Sequence, residues 1–558
     1  MGNGAGEQAS LAGGRWDKSP WLMSRLALCP LASRVFYTGA LRGRAVVTRA
    51  LIYSFLIAAW GASLLWPQPR ADVALPKTWD ETALADWATP LAGLNARPTH
   101  ISSKEYYSLR VENLRTYPVY LPGREPQGYW EMLQHVGPQP LIEPEKLKTQ
   151  ADWIAAGRRV FDEADMIHER VFDPKLIESA RRAETFREAG TEPLPDGTLY
   201  FLRWVPTNRG VALSLGNCSS CHLQFLKDGT RVPGAPSFPS AIRDPQLRNP
   251  FVPAIHNASG VFSGDMPFVM APGDPLGDRL YQTFGVPWIH DEQDARLKTF
   301  TSADYLAYSR AFSLSGGIPR WNGSLFFPAK IPDLIGVKDR KYIDHTGTHL
   351  HRGVGDLMRY AALVSFAESA DFGLQHVLGP GTKRVQARLP DEALYALALY
   401  IYSLPPPPNP NRFDERAAAG QKIFQREGCV NCHTPPLYTS NKLTLAASYI
   451  PPKDAPVTLD ILGLSVGTDP GLALKTRKGT GYYKVPSLKG VWYRGHYLHD
   501  GSAGSLEEMF DPDRVKDTHK PGGFIPVGET MHAIRGHEFG LRLNSGEREQ
   551  LIAFLRTL

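Results

Sequence analysis

Two short stretches of the sequence repeat one pattern of cysteine and histidine. They read GNCSSCH at residues 216–222 and GCVNCH at residues 428–433. Four of the five cysteines lie in these stretches, so cysteine serves a particular chemistry here and not a disulfide framework. The residues that could carry this chemistry are Cys218, Cys221, His222, Cys429, Cys432 and His433.

Three kinds of site use paired cysteines of this spacing. A zinc ribbon places its two pairs about 15 to 20 residues apart, whereas these pairs are 429 − 218 = 211 residues apart. A thioredoxin-type motif needs a βαβ context, which this sequence does not offer. Covalent haem attachment uses C-x-x-C-H, with two thioethers to the haem and the histidine as proximal iron ligand. The sequence therefore predicts two covalently attached c-type haems, with His222 and His433 bound to the irons.

Amphipathic stretches flank both motifs in the same order. Residues 155–165 (AAGRRVFDEAD) and 418–428 (AAGQKIFQREG) share one pattern before the motifs, and residues 389–404 and 543–558 each begin with a polar or proline helix start. A cytochrome c domain needs one helix before its haem and one after it. The predicted fold is therefore mainly α. It has two tandem cytochrome c-type domains with long loop insertions, at residues 151–404 and 413–558, joined by a proline linker at 405–412.

The first predicted domain is much the larger. Gly157 lies 61 positions before Cys218, whereas Gly420 lies nine before Cys429, so 61 − 9 = 52 residues are inserted there. A second insertion runs from about residue 223 to 388. Loops of this length tend to be functional, which favours a reactive pocket at the first haem. Trp321, in the second insertion, could link the two haems electronically or serve only for packing.

The N-terminus predicts export. Residues 1–49 carry seven Lys or Arg against two acidic residues, and residues 50–66 are uncharged. This asymmetry is typical of a basic cytoplasmic leader followed by a signal peptide or membrane anchor, and it places the remainder in the bacterial periplasm. Residues 67–150 are expected to wrap the first domain. The net charge of +6 is spread over interspersed acidic and basic residues, which does not indicate a nucleic-acid partner.

Residues 483–510 (YKVPSLKGVWYRGHYLHDGSAGSLEEMF) resemble the bacterial dihaem cytochrome c peroxidase superfamily. That superfamily also contains the methylamine-utilisation dihaem enzyme and the dihaem rubber oxygenases. The wide spacing of the motifs and the sequence RGHEFGLRL at 535–543 resemble the rubber-oxygenase branch most. The resemblance implies a mostly α fold with little sheet, a redox partner protein, and calcium between the domains.

The sixth ligand of the second haem must lie between the motif and the closing helix. The candidates are His496, His499, Met509, Met531, His532 and His537. Position before the closing helix and the resemblance favour His537, with Met531 as the alternative because peroxidases of the superfamily use Met. His496 and His499 are expected to meet haem propionates or fix the loop, and Met509 to lie in the core. Two histidine ligands leave no open site, so this haem would carry electrons.

The resemblance implies an open first haem with an aromatic pair on its distal face, for which Phe327 and Tyr342 are the counterparts. Asp344 or His345 could act as general acid/base there. The group His345, His349 and His351 has two interpretations: loop histidines bonded to propionates or backbone, or a separate metal site. The predicted function is an exported dihaem oxidoreductase that reacts peroxide, or dioxygen with an organic substrate, at the first haem. The alternative is a dihaem electron carrier without catalysis.

Overall fold

The structure, a computed structural model, describes most of the chain from residue 75 onward. The described ranges are 75–92, 97–98, 100–165, 170–191, 193–214, 216–237, 291–301, 325–365, 387–453 and 460–558, with short pieces between residues 285 and 318 and between 371 and 376. The predicted leader, the apolar segment 50–66 and Trp321 lie outside them. Residues Ala74–Leu558 form one compact unit. Within the described ranges, the helices are too short or too polar to cross a membrane.

The described part of the chain combines helices with short strands. The helices, in chain order, are α1 Glu81–Leu84, α2 Ser103–Ser108, α3 Tyr129–Val136, α4 Gln150–Glu163, α5 Pro174–Ser179, α6 Ala183–Ala189, α7 Cys218–His222, α8 Glu292–Arg296, α9 Val354–Ser365, α10 Asp391–Ser403, α11 Glu415–Arg426, α12 Gly471–Leu474, α13 Leu506–Met509 and α14 Ser545–Arg556. The strands are β1 Arg110–Val111, β2 Tyr117–Tyr120, β3 Arg170–Val171, β4 Thr198–Thr207, β5 Gly210–Ser214, β6 Leu223–Phe225, β7 Arg231–Pro233, β8 Gly317–Ile318, β9 Ala329–Lys330, β10 Asp371–Phe372, β11 Gln375–His376, β12 Ala387–Arg388, β13 Leu443–Leu445, β14 Ile461–Ser465 and β15 Tyr482–Lys484.

The four predicted helices form where the sequence placed them, as α4, α10, α11 and α14. The N-terminal ends of α4 and α14 are fixed by capping boxes, Thr149 with Asp152 and Asn544 with Glu547, which satisfy otherwise unpaired N–H groups. Between α10 and α11 the chain forms neither helix nor strand, as its prolines require.

The two helix pairs cross in the same way. Helix α4 packs on α10, and α11 packs on α14. A Cβ on Gly157 would lie 1.9 Å from the carbonyl oxygen of Ala396, and one on Gly420 would lie 1.9 Å from that of Gln550. Only glycine permits so close an approach of two helix backbones. The described halves, residues 150–404 and 415–558, therefore share one helix-crossing geometry.

A four-stranded antiparallel sheet, in the order β2-β4-β5-β3, corrects the expectation of little sheet. Most of it occupies the insertion between α4 and the first motif. Its central hairpin joins Thr207 to Gly210 through two residues. The run TLYFLRWV before this turn is rich in aromatic and β-branched residues, which favour a pleated, half-buried strand. The described part of this insertion thus forms strands β3, β4 and β5 with helices α5 and α6, and not an irregular loop.

The largest apolar core joins the N-terminal segment to the first half. Trp79, Trp87 and Tyr106 are fully buried together with Phe161 of α4 and Met358 of α9. These rings supply large apolar areas, which dominate the energetics of a core. The described part of the predicted wrapping segment is therefore built into the core of the first half.

One loop is duplicated between the halves. The first loop, residues 331–358, begins IPDLIGV, and the second loop, residues 485–510, begins VPSLKGV. Gly336 and Gly490 occupy equivalent positions with φ of 72° and 73°, a left-handed conformation that glycine adopts without strain. A guanidinium follows in each: Arg340 donates to the carbonyl of Ile335 at 2.6 Å, and Arg494 to that of Lys489 at 2.5 Å.

The two loops also bind each other reciprocally. The backbone N–H of Lys330 donates to the backbone carbonyl of His499 at 2.7 Å, and that of Lys484 donates to the backbone carbonyl of His345 at 3.0 Å. The ammonium groups cross over as well: Lys330 Nζ lies 3.1 Å from the carbonyl of Arg494 and Lys484 Nζ lies 2.6 Å from that of Ile343. Each half therefore sends one buried lysine into the loop of the other half.

Candidate haem sites

The second motif opens into a cavity. Helix α11 ends at Arg426, and Gly428 adopts φ of 75° before a short 3-10 helix, Cys429–Asn431, that turns the motif inward. The cavity has a volume of about 280 Å³. Its lining includes both cysteines and the histidine of the motif, together with apolar residues of the flanking helices: Cys429, Cys432, His433, Phe424, Leu551 and Leu555.

Two histidines face each other across this cavity. The rings of His433 and His537 have centroids 6.2 Å apart. A bond from a metal to an imidazole nitrogen is about 2 Å long, and a ring nitrogen lies roughly 1 Å from its centroid, so two imidazoles on opposite sides of one iron have centroids about 6 Å apart. The separation of His433 and His537 fits a metal ion between them.

The hydrogen bond made by His433 leaves its other nitrogen available to a metal. Its Nδ1 lies 3.2 Å from the carbonyl oxygen of Tyr438, and because a carbonyl only accepts, Nδ1 carries the proton. Such a bond sets the tautomer of a metal-binding histidine. Burial lowers the pKa of His433 and of His537 to about 4, so both rings are neutral near pH 7.

The position of His537 is set by the backbone around it. His537 has φ of 49°, a left-handed conformation uncommon outside glycine. Its N–H donates to the carbonyl of Val466 at 2.6 Å, and the buried Arg514 guanidinium donates to its carbonyl at 2.8 Å. These bonds hold a conformation that the residue would not adopt alone.

The remaining ligand candidates differ from His537 in exposure and in their contacts. Met531 is 51% exposed, and His532 is bonded to Glu529 near the surface. Met509 is buried in the core with Leu551, as predicted. His496 and His499 line the same cavity as His433. The ring of His537 lies next to that of His433, with 6.2 Å between their centroids.

One end of the cavity is basic. Its lining includes four cationic side chains and one carboxylate: Lys330, Arg340, Lys484, Arg494 and Asp333. Burial lowers the pKa of Lys330 and of Lys484 to about 7. Buried cations need an opposing charge, and a haem carries two propionates on one edge of an apolar ring. The residues present therefore fit a haem: two cysteines, two facing imidazoles, apolar walls and a basic end.

The cysteines of the second motif do not favour thiolate chemistry. Burial raises the pKa of Cys429 to about 11. A thioredoxin-type site needs a lowered pKa to form its attacking thiolate. This finding opposes the alternative interpretation of the motif as a redox-active pair.

The first motif forms helix α7, Cys218–His222, capped by Asn217. The side-chain amide of Asn217 donates to the backbone carbonyl of Asp162 at 3.0 Å, which ties the motif to the end of α4. The N–H of Gly234 donates to the carbonyl of His222 at 2.6 Å, and that of Leu334 donates to the carbonyl of Gly234 at 2.8 Å. The first loop is therefore anchored directly behind the first motif.

The three residues predicted at the first haem lie against the second half. Tyr342 and His345 line the cavity of the second motif, and Phe327 packs with Leu472 and Tyr483. The prediction grouped them around His222, whereas the structure brings them to the second half because the two loops interlock. Their catalytic roles stay predictions.

The three loop histidines make separate hydrogen bonds. His345 Nε2 lies 2.7 Å from the carbonyl of Lys330, and both ring nitrogens of His351 are bonded, to Arg340 and Tyr402. His349 Nδ1 lies 3.1 Å from Asp344. Among the described residues no cluster of three or more His, Cys, Asp or Glu is placed to hold a metal ion. The structure therefore favours hydrogen-bonded loop histidines over a separate metal site, and the predicted calcium stays a prediction.

The sequence analysis missed the duplicated loop. Its signal was present: IPDLIGV and HTG in the first half correspond to VPSLKGV and HDG in the second. The extra residues between HTG and α9 mask the correspondence. Recognising it assigns one loop to each motif.

Comparison with known proteins identifies a limited similarity. No protein-family profile matches the chain. Over 147 residues it is 27% identical to the methylamine utilization protein MauG of Methylorubrum extorquens, a match that covers 25% of this chain and 34% of MauG. The chain therefore matches about a third of the length of this relative. The match agrees with the resemblance to the dihaem peroxidase superfamily, while the link to the rubber oxygenases stays a prediction.

Two solved structures show partial similarity. Hydrazine synthase of Kuenenia stuttgartiensis aligns with 42% of this chain and 74% of its own, at 17% identity and a TM-score of 0.24. A MauG-like protein associated with microbial copper homeostasis aligns with 30% of this chain and 56% of its own, at 19% identity and a TM-score of 0.19.

Proposed function

We propose that this protein is an exported dihaem c-type cytochrome oxidoreductase. It reacts peroxide or dioxygen at the first haem, and the second haem transfers electrons from a redox partner protein. The observation that carries the proposal is the placement of His433 and His537, with rings 6.2 Å apart across a cavity lined by Cys429 and Cys432. Export to the periplasm rests on residues 1–66 of the sequence.

The residues of the second half have distinct tasks. Cys429 and Cys432 would hold the haem covalently, and His433 and His537 would bind its iron. Lys330, Arg340, Lys484 and Arg494 would neutralise its propionates. Bound in this way, the haem supplies one-electron chemistry at a lowered potential.

The second loop lines the cavity of the second motif, and the first loop is its counterpart in the first half. The first loop is bonded to His222 through Gly234, which holds the start of this loop beside the first motif. A reaction at this haem could consume peroxide, or dioxygen together with an organic substrate. The similarity to MauG is consistent with a haem oxidoreductase and does not distinguish these substrates.

A haem count tests the proposal. Cys218→Ser and Cys432→Ser should each lose one covalently bound haem per chain, whereas Cys29→Ser should keep both, because Cys29 belongs to neither motif. The measurement is a pyridine haemochrome assay on purified protein. Two haems in every variant would contradict the proposal.

Spin states separate the enzyme from the alternative electron carrier. One high-spin and one low-spin haem are expected in the resting protein, by electron paramagnetic resonance. Carbon monoxide should bind the reduced protein at one haem only. If both haems are six-coordinate and bind no ligand in either redox state, the protein is an electron carrier without catalysis.

A further inference from the structure

Buried nitrogens without partners gather beside the first loop. Within the described residues, His100 Nε2, His349 Nε2 and Arg359 Nε are buried and have no hydrogen-bond partner. The rings of His100 and His349 have centroids 5.8 Å apart. Because buried polar atoms are nearly always paired, three such atoms in one place indicate that they serve a polar molecule.

His349 is held as a base. Its Nδ1 lies 3.1 Å from Asp344 Oδ2, and that carboxylate also accepts the backbone N–H of Thr348 at 2.7 Å. Burial alone would raise the pKa of Asp344, but these hydrogen bonds hold it at about 2. Burial lowers the pKa of His349. An ionised Asp344 therefore keeps the proton of a neutral His349 on Nδ1, which leaves Nε2 as a proton acceptor.

An indole and a guanidinium complete this pocket. The Trp87 ring lies 4.3 Å from the His349 ring, between centroids, and Trp87 is fully buried. The guanidinium of Arg359 lies 5.8 Å from the Trp87 ring. Trp87 excludes water on one side of the imidazole. Arg359 forms an ion pair with the buried Asp356 and keeps its Nε unbonded beside the Trp87 ring.

This group is connected to the first motif through the first loop. His349 lies in the first loop, which is bonded to His222 through Gly234. Cys218 packs against the core that contains Trp87 and Leu357. The start of the first loop and the second loop both line the cavity of the second motif. Because Leu506 and Met509 at the end of the second loop reach the cavity of their own motif, we infer that the end of the first loop lines the site of the first motif.

Only the first of the two loops contains these residues. It spans 358 − 331 = 27 positions against 510 − 485 = 25 in the second loop, and the added residues lie beside His349. At the position of Asp344 the second loop has Leu498. The second loop thus has no counterpart of the Asp344–His349 pair.

We propose that His349 is the acid–base residue for reduction of peroxide at the first haem, with Asp344 as its positioning residue and Arg359 as the stabilising charge. This inference rests on the proposed function, since it needs an open iron at the first motif. It assigns the role to a residue that sequence reasoning considered only as a loop or metal-binding histidine.

The chemistry balances as the reduction of hydrogen peroxide to two molecules of water, with two electrons and two protons consumed. His349 Nε2 accepts the proton of one peroxide oxygen and returns it to the other, so that the O–O bond breaks and water leaves. Arg359 stabilises negative charge on the departing oxygen. The electrons come from the redox partner protein by way of the second haem.

Cyanide binding tests the base without turnover. Hydrogen cyanide must lose its proton to bind ferric iron, so His349→Leu and His349→Gln are expected to slow binding by about 100-fold or more. His351→Gln is the matched control, since His351 lies in the same loop with both ring nitrogens bonded to the protein. The measurement is stopped-flow absorbance of the haem-loaded protein.

Carbon monoxide binding distinguishes failure of the role of His349 from failure of the proposed open haem. It carries no proton, so its binding to reduced His349→Leu should match that of the wild type. Unchanged cyanide rates with carbon monoxide bound normally would overturn the role of His349. A wild type that binds neither ligand would overturn the open haem of the proposed function, and this inference with it.

Asp344 has a test of its own. Asp344→Asn should shift the pH profile of cyanide binding, whereas Asp344→Glu should restore it; a purely structural role would leave the profile in place. The titratable and charged groups near the imidazole are Asp344, Asp356, His100, Arg359 and Lys478. An identical profile in Asp344→Asn would remove its positioning role.

Discussion

At the scale of single residues, the structure separates His537 from its competitors. Of the six candidates for the second haem, its ring lies 6.2 Å from that of His433. Both rings are neutral because burial lowers their pKa, and only a neutral imidazole has a nitrogen lone pair for iron. Arg514 and Val466 fix the backbone of His537 in an uncommon conformation. That conformation therefore holds the ring of His537 beside that of His433.

Removing the imidazole of His537 should open the second haem. In His537→Ala one low-spin signal is expected to become high-spin, because the iron loses a strong axial ligand. His532→Ala is the control, since this exposed neighbour binds Glu529. Electron paramagnetic resonance at low temperature measures the change. A high-spin signal in His496→Ala, with none in His537→Ala, would transfer the ligand role to His496.

At the scale of elements, the two crossings of α4 with α10 and of α11 with α14 depend on single glycines. Gly157 and Gly420 each meet a carbonyl of the opposite helix. The aromatic partners also correspond: the rings of Phe161 and Tyr400 lie 5.4 Å apart, and those of Phe424 and Phe554 lie 5.3 Å apart. Such pairs add to the free energy of packing beyond their buried area.

Adding one methyl group at a crossing should force the helices apart. Gly420→Ala is expected to lower the free energy of unfolding by about 1–3 kcal/mol, as overpacked cores do. Gly546→Ala, near the start of α14, has only ordinary contacts and should be neutral or stabilising by up to about 1 kcal/mol. Urea unfolding followed by circular dichroism compares them. Equal effects of the two substitutions would show that α11 and α14 do not approach so closely.

At the scale of the whole molecule, Lys330 and Lys484 join the halves. Each ammonium binds carbonyl groups of the opposite loop, and both side chains line the cavity of the second motif. The two halves are thus connected at the place where electrons would pass between the sites. A displacement of one loop is therefore transmitted to the other loop through these hydrogen bonds.

Removing either lysine ammonium group should destabilise the unit formed by residues Ala74–Leu558. Lys330→Met and Lys484→Met are each expected to lower the free energy of unfolding by about 1–3 kcal/mol, because buried carbonyls lose their donor. Their effects should not add, since they share one interface. Lys341→Met is the control: its ion pair with Asp460 lies near the surface, where such pairs contribute less than about 1 kcal/mol. Lysine variants indistinguishable from Lys341→Met would contradict the connection.

The sequence by itself determined what depends on neighbouring residues. Spacing within the motifs Cys218–His222 and Cys429–His433 predicts haem attachment, and local apolar patterns located the helices α4, α10, α11 and α14. Tertiary structure decided what depends on distant residues meeting. His433 and His537 are 537 − 433 = 104 positions apart. The position before the closing helix and the resemblance favoured His537, but only the folded chain brings its ring beside that of His433. The same holds for Lys330 in the opposite loop and for His349 beside Trp87: burial, desolvation and hydrogen bonding act through space, and only the folded chain brings those groups together.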